Sequence, residues 1–313
     1  MQVFQGYRKT LSPLQAQVYD FLKSGISRHL KEIIIPQCSE EALKDIFESV
    51  LLDYPEIFYT KGYRAMKNQN SQITVMPSYT HSSKQVKTIT EDCRRQAECL
   101  VKQAHSLDDY AKELFVHDLL LKITYGDGHK PEAHAITGPL LRGVGVCEGI
   151  AKTAKFLFDM LNINSIVVFG VAKTPKGQKD EAHAWNCINI DEQWYHLDIT
   201  FDNSLSTNVK RYDYFNLSDY EIEADHKATK RLWARCAVQQ SYYCKNNAVV
   251  ETKQQLMDVV AKGDKDIIVK FPFSKETAYQ MIRETLSELK LKEANISCNP
   301  HQMVFHIMLR ENN

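Results

Sequence analysis

The chain has no surplus of charge: its 313 residues carry 39 Lys and Arg against 39 Asp and Glu. A protein that grips a phosphate backbone or an anionic bilayer needs a basic footprint, so neither nucleic acid nor membrane is an expected partner. Long apolar runs are missing too. The longest, IVVFGVA at 166–172, suits a strand and is far too short for a bilayer. The opening MQVFQGYRKTLSPLQAQVYDF has no unbroken apolar stretch behind a basic lead, so no signal peptide is expected and the location reads as cytoplasmic. The eight cysteines, at 38, 93, 99, 147, 187, 236, 244 and 298, lack the close paired spacings of zinc sites and the density of a disulfide scaffold. They read as reduced thiols, most of them small buried hydrophobes. Internal repeats and low-complexity tracts are absent.

What is present divides into three stretches, as expected for a chain longer than one usual core. From 13 to 60 the text is helical: LQAQVYDFLKSGISRHL, then SEEALKDIFESVLLDYPEIF, with Ser39 as N-cap, acidic residues in the first turn and Pro55 beyond the end. Ala42, Leu43, Ile46, Phe47, Val50 and Leu51 recur at helical spacing and define one buried face. SQITVMPSY reads as a short strand that Pro77 confines to a sheet edge. Two helices follow over about 84–104 and 107–122, the second opened by Ser106 with Asp109 three residues later. After 130 a glycine-rich loop leads into a helix over 147–161, then into strand candidates NSIVVFGVA, AHAWNCINI and WYHLDIT. A polar loop, KTPKGQKDE, and a tight turn at IDEQ separate them. This is the pattern of an α+β fold, a helix packed on an antiparallel sheet. The tail alternates helix and strand (TKQQLMDVVAKG, DIIVKFPF, KETAYQMIRETLSELKL, QMVFHIMLR) and reads as a small α/β appendage. The expected division is a mainly helical region over 1–112, a core over 113–230 and an α/β module over 231–313.

The chemistry concentrates in GVGVCEGIAKTAKFLF, residues 143–158, where Cys147 follows a glycine-rich turn and opens a helix. A thiol attacks carbonyl carbon only as thiolate, and the unpaired amides and dipole of a helix N-terminus favour negative charge there. The same amides can stabilise an oxyanion, and Gly143 and Gly145 would let a substrate backbone come close. A nucleophile also needs a base, and the base a group that orients it. His183 lies in HAWN and Asp198 in HLDIT. If Asp191 and Glu192 form a two-residue hairpin loop, Trp185 stands opposite Asp198, and period-two alternation puts His183, Trp185 and Asp198 on one face. His183 and Asp198 then become diagonal neighbours within reach; a three-residue loop would separate them. Each residue also has a plainer reading: a packed thiol, a satisfied sheet histidine, a strand-end acid. His196 shares the face and is a weaker candidate for the base, and Cys187 reads as a core thiol rather than a resolving one.

The order Cys, His, Asp is too compact for papain-like proteases, whose histidine follows roughly 130–150 residues after the cysteine. GVGVCEGIA, HAWNCINI and WYHLDITFD resemble instead the three motif blocks of the transglutaminase-like cysteine enzymes. VHDLLLKITYG and YDYFNLSDYEIEADH extend the likeness to bacterial transglutaminase-domain proteins, over about 113–226. The resemblance implies a papain-like α/β core with Cys147 as nucleophile, His183 as general base then acid, and Asp198 fixing the imidazole. It implies acyl transfer from a protein or peptide carboxamide through a thioester, to an amine or to water. A peptidase or amidase of the same fold and a non-catalytic binding module are the alternatives. No metal or other cofactor is expected. Two positions depart from the family pattern: Ile150 where many relatives have tyrosine, and Phe201 where many have tryptophan. No glutamine sits just upstream of Cys147, so the sequence assigns no second oxyanion donor, although Trp185 or Tyr125 could serve. Trp185, Gly145, Tyr125 and Glu148 are the candidates for lining the substrate cleft.

Overall fold

The computed structural model describes residues 3–68, 70, 72–173, 179–230, 234–291 and 294–310. The first unit packs helices α1 (Pro13–Ser27) and α2 (Glu40–Asp53) on a three-stranded antiparallel sheet of β1 (Ile33–Pro36), β2 (Thr60–Lys67) and β3 (Gln72–Tyr79), in the order β1-β3-β2. Ser39 caps α2 by accepting the Ala42 N–H, and Leu43, Ile46, Phe47 and Val50 face the core with Val18 and Leu22 of α1. The region expected to be mainly helical thus holds a sheet, because IIIP and TKGYRAMK are too short or too charged to show strand alternation. The strand ending in Tyr79 is central rather than at an edge. Pro77 is tolerated there because β1 pairs only with residues 72–75, and on the other side Pro77 faces Tyr63 beside a register shift in β2.

The second unit contains α3 (Ser83–Val101), α4 (Asp109–Leu120), β4 (Thr124–Tyr125), α5 (Thr137–Arg142), β5 (Val144–Gly145) and α6 (Cys147–Met160). After these come β6 (Ser165–Lys173), β7 (Asp180–Ile190), β8 (Gln193–Leu197), α7 (Ile199–Leu205), β9 (Phe215–Leu217), α8 (Asp219–Ile222) and β10 (His226–Ala228). The sheet runs β10-β6-β7-β8-β9, every neighbour antiparallel. Helix α6 lies against it, with Ile150, Ala154, Leu157 and Phe158 packed on Ile188, Tyr195 and Leu197. This is the α+β arrangement of a cysteine-bearing helix on an antiparallel sheet. Helix α4 is capped by Asp108, whose carboxylate takes the Ala111 N–H, so the pair Ser106 and Asp109 does not open it.

The tail forms α9 (Tyr242–Lys245), α10 (Lys253–Val260), β11 (Asp266–Lys270), α11 (Lys275–Glu288), β12 (Ala294–Asn299) and β13 (Val304–Leu309), with sheet order β11-β13-β12. Buried polar bonds tie the units together. Asp159 of α6 takes the Phe4 N–H and the Lys155 ammonium, and the Tyr7 hydroxyl donates to the Val167 carbonyl of β6. On the other side Asp213 accepts from Asn299, Tyr243 and Arg211. Among the described residues no helix is long and apolar enough to cross a membrane.

Glu113 of α4 is fully buried, and its carboxyl oxygens have no well-formed hydrogen bond among the described residues. Burial, only partly offset by Asn216 and His117, raises it from 4.5 to about 8. A carboxyl raised on folding stabilises fully below its unfolded value and loses that contribution as pH climbs through the folded one. Glu113→Gln is therefore expected to gain about 1–3 kcal/mol over the parent at pH 8 and almost nothing at pH 5, by urea unfolding at both pH values.

Candidate active site

The site is assembled by the hairpin of β7 and β8. Its loop is the pair Asp191 and Glu192, with φ of 49° and 65°, the left-handed conformation that a two-residue turn needs even without glycine. Register runs from Ile190↔Gln193 to Asn186↔Leu197. At the next residue the chain leaves the strand: Asp198 caps α7, its Oδ1 accepting the Phe201 N–H at 3.0 Å while its own N–H donates to the Tyr214 carbonyl. The other oxygen, Oδ2, lies 2.6 Å from Nε2 of His183. The diagonal meeting of His183 and Asp198 follows from that register.

Cys147 is the first residue of α6, half-buried, with no side chain capping the helix and the preceding Val146 N–H given to the Ala133 carbonyl. With Nε2 of His183 committed to Asp198, Nδ1 is the nitrogen left for sulfur. Burial disfavours the His183 imidazolium, but the charge and hydrogen bond of Asp198, followed by the hydrogen bond and charge of Cys147, outweigh it and raise the ring to about 10. Asp198 is 1% exposed; burial pushes it up, yet His183 and His226 together hold it well below the ordinary carboxylate range. The ring of His183 is fixed by Trp185, stacked at 6.1 Å and 17°, and by Phe201 at 4.7 Å. Phe201 is thus an aromatic support for the imidazole.

The remaining expected site residues separate sharply. Tyr125 reaches Cys147: burial raises its hydroxyl first, then the charge and side-chain hydrogen bond of Cys147, while the Cys147 backbone N–H pulls it back down. Trp185 cannot line a cleft. It is 2% exposed, and its indole N–H donates to Nδ1 of His196 at 3.1 Å, so it offers no donor to a substrate. Gly145 does not open a path for a substrate backbone either, because a Cβ there would stand 2.8 Å from Pro139 Cγ; its smallness serves packing. Gly143, at φ of 66°, ends α5 in a left-handed turn. Glu148 binds His134 and Lys152 and lines two cavities of about 980 and 610 Å³ that also share Glu48, Leu51 and Lys152. Neither cavity is lined by Cys147, His183 or Asp198. His196 turns toward Trp185 and Asp219, and Cys187 lies 3.7 Å from Cys236 in the core. Residues 174–178 of the loop expected to border the cleft lie outside the described residues.

One member of the site was not read from the sequence. His226 of β10 places Nε2 3.0 Å from the same Oδ2 of Asp198, and its Nδ1 lies 2.6 Å from Asp225. Nothing in the sequence marks it beyond the acid-histidine pair in ADH, because only the antiparallel pairing of β10 with β6 brings it alongside. Donor atoms of His183, Asp198 and His226 converge, as do those of His196, Asp219 and Cys236. Protons organise both groups: the Asp198 carboxylate is acceptor-only, so both imidazoles facing it must donate. Nδ1 of His196 receives the Trp185 N–H, so its Nε2 holds the proton shared with Asp219.

Residues 87–199 match the family profile of the transglutaminase-like superfamily, a span that includes Cys147, His183 and Asp198 and makes up a little over a third of the chain. That segment is a transglutaminase-like core. Among solved structures, one described as a TGase is similar at 15% identity and TM-score 0.32, over 49% of this chain and 46% of the other. A proposed cysteine protease from Cytophaga hutchinsonii is similar at 13% identity and TM-score 0.31, over 44% of this chain and 61% of the other. The chain therefore spans less than two thirds of either structure. No curated protein matches the chain.

With the Asp198 charge removed, burial of His183 is opposed only by the weaker influence of Cys147. Asp198→Asn is expected to bring its ring titration, followed by ¹⁵N NMR, from about 10 to below 7; a midpoint left near 10 would show that the carboxylate does not hold the ring charged.

Proposed function

We propose that the chain is a cysteine acyltransferase or hydrolase of the transglutaminase-like superfamily, with Cys147, His183 and Asp198 as its triad. One arrangement supports this most: a thiol at a helix N-terminus and a buried carboxylate on opposite sides of a single imidazole. In this reading residues 113–230 are the catalytic core and the stretches 1–112 and 231–313 flank it.

Asp198 holds Nε2–H of His183 and stabilises the imidazolium, so the ring keeps one orientation and presents Nδ1–H to sulfur. The Cys147 thiolate adds to the carbon of a carboxamide in a protein or peptide. The oxygen that becomes negative is met by the Cys147 N–H and the Tyr125 hydroxyl, the two donors that already stand together at that helix start. As the C–N bond breaks, the His183 imidazolium gives its proton to the departing nitrogen and leaves a thioester on sulfur. Neutral His183 then takes a proton from an incoming amine or water, the new bond forms at the acyl carbon, and the thiolate leaves with the imidazolium restored. Transfer and hydrolysis differ only in that second partner.

Incubating the full chain with glutamine-containing peptides, with and without a primary amine, separates the outcomes by mass: cross-linking, deamidation or backbone cleavage. Loss of all product in Cys147→Ala is expected. Absence of every product from the parent protein over a broad peptide set, together with uniformly slow iodoacetamide labelling of its thiols, would reject the enzyme in favour of a binding module. Tyr125→Phe is expected to lower kcat on the order of 10²-fold with KM nearly unchanged, as for loss of one oxyanion donor; a change confined to KM would place Tyr125 in substrate binding alone.

A further inference from the structure

His226 lies beyond the residues that match the family profile, in a strand at the sheet edge, yet it touches the centre of the site. Its side chain is fully buried between two acids. Counting protons assigns its charge. Asp198 Oδ2 accepts from Nε2 at 3.0 Å, and Asp225 Oδ1 accepts from Nδ1 at 2.6 Å. With both acids ionised neither can donate, so both ring nitrogens of His226 then carry hydrogen and the ring is an imidazolium. Asp225 is itself held: its second oxygen takes the Tyr214 hydroxyl at 2.5 Å and its carbonyl takes the Lys173 N–H.

We propose that His226 is a cationic positioning residue for the triad, pinning the Asp198 carboxylate toward His183 and offsetting part of its negative charge. The inference rests on the triad reading given above and adds a residue to it. The geometry leaves Asp198 no other orientation: Oδ1 is bound by the Phe201 N–H, and Oδ2 is shared by His183 and His226. The ionisable groups that face the His226 ring are Asp198 from the end of β8, Asp225 beside it, His183 from β7 at 5.4 Å between ring centroids and Tyr214 at 5.6 Å. Phe201 at 4.6 Å and Trp185 at 5.1 Å close the remaining sides with apolar surface. With water excluded, the carboxylates of Asp198 and Asp225 have the His226 cation between them, and His183 feels a carboxylate whose charge is already half answered. Without that cation His183 would hold its proton more tightly, too tightly for a ring that must release it to the departing nitrogen.

The test uses the full chain labelled with ¹⁵N in its histidine rings. In the unmodified protein both ring nitrogens of His226 should be protonated at pH 7; a neutral ring overturns the proposal. His226→Gln keeps an N–H for Asp198 and removes the charge. The His183 midpoint should then move upward by roughly one pH unit, the scale for losing one charge a few ångströms from a carboxylate in a protein interior. An unmoved midpoint in the folded variant overturns the proposal, since a residue that only fills space would not shift it. If His226→Gln does not fold, the protonation state in the unmodified protein decides. Failure of the underlying reading looks different: Cys147 alkylated no faster than the exposed Cys99 in the unmodified protein removes the nucleophile while leaving the His226 charge measurement as it stands.

Discussion

A charged carboxylate with almost no solvent contact is the constraint around which this site is built. Moving such a group out of water costs several kcal/mol unless both oxygens find donors and a cation stands near. Asp198 meets both conditions with three bonds: the Phe201 N–H at the start of α7 and the imidazoles of His183 and His226. Each donor comes from a different element. Helix α7, strand β7 and strand β10 must therefore be in place together for the carboxylate to stay ionised, and the local fold and the electrostatics of the site are one requirement seen from two sides.

Helix α6 answers to a second set of restraints. Its start is set by the Val146 N–H on the Ala133 carbonyl, its apolar stripe by the sheet, and its far end by Asp159, which takes both Lys155 and the backbone of Phe4. Cys147 is thereby held at a fixed height over the hairpin while its own helix end remains uncapped by any side chain. In the proposed chemistry a cap at that position would occupy amides that a developing oxyanion needs, and the missing cap fits that reading.

Aromatic rings surround the imidazoles, and they divide by depth. Phe201 and Trp185 lie below the imidazoles and keep water from them, while Tyr125 stands at the open side with about half its surface exposed. Trp185 also links two buried polar groups, stacking on His183 with its face and donating to His196 with its edge. One side chain thus couples the site to the cluster of His196, Asp219, Cys236 and Cys187 behind it.

The sequence by itself determined local matters such as Ser39 as a cap and the buried stripe of α6, and it placed His183 beside Asp198 on the condition of a two-residue turn at Asp191 and Glu192, which the hairpin supplies. All of these are set by residues close in the chain, or by a period of two or 3.6 that a tight loop preserves. Contacts between distant segments were not legible. The sheet of the first unit escaped because IIIP is short and TKGYRAMK is charged, and Pro77 became central because its neighbours stop short of it. Trp185 is turned inward by His196 of its own hairpin and Gly145 by Pro139 of the preceding helix α5, close packing that neither strand parity nor glycine content signals. His226 entered the site only because β10 folds back along β6, and which carboxylate a distant histidine will meet is decided by that tertiary pairing, for which no spacing in the chain supplies a rule.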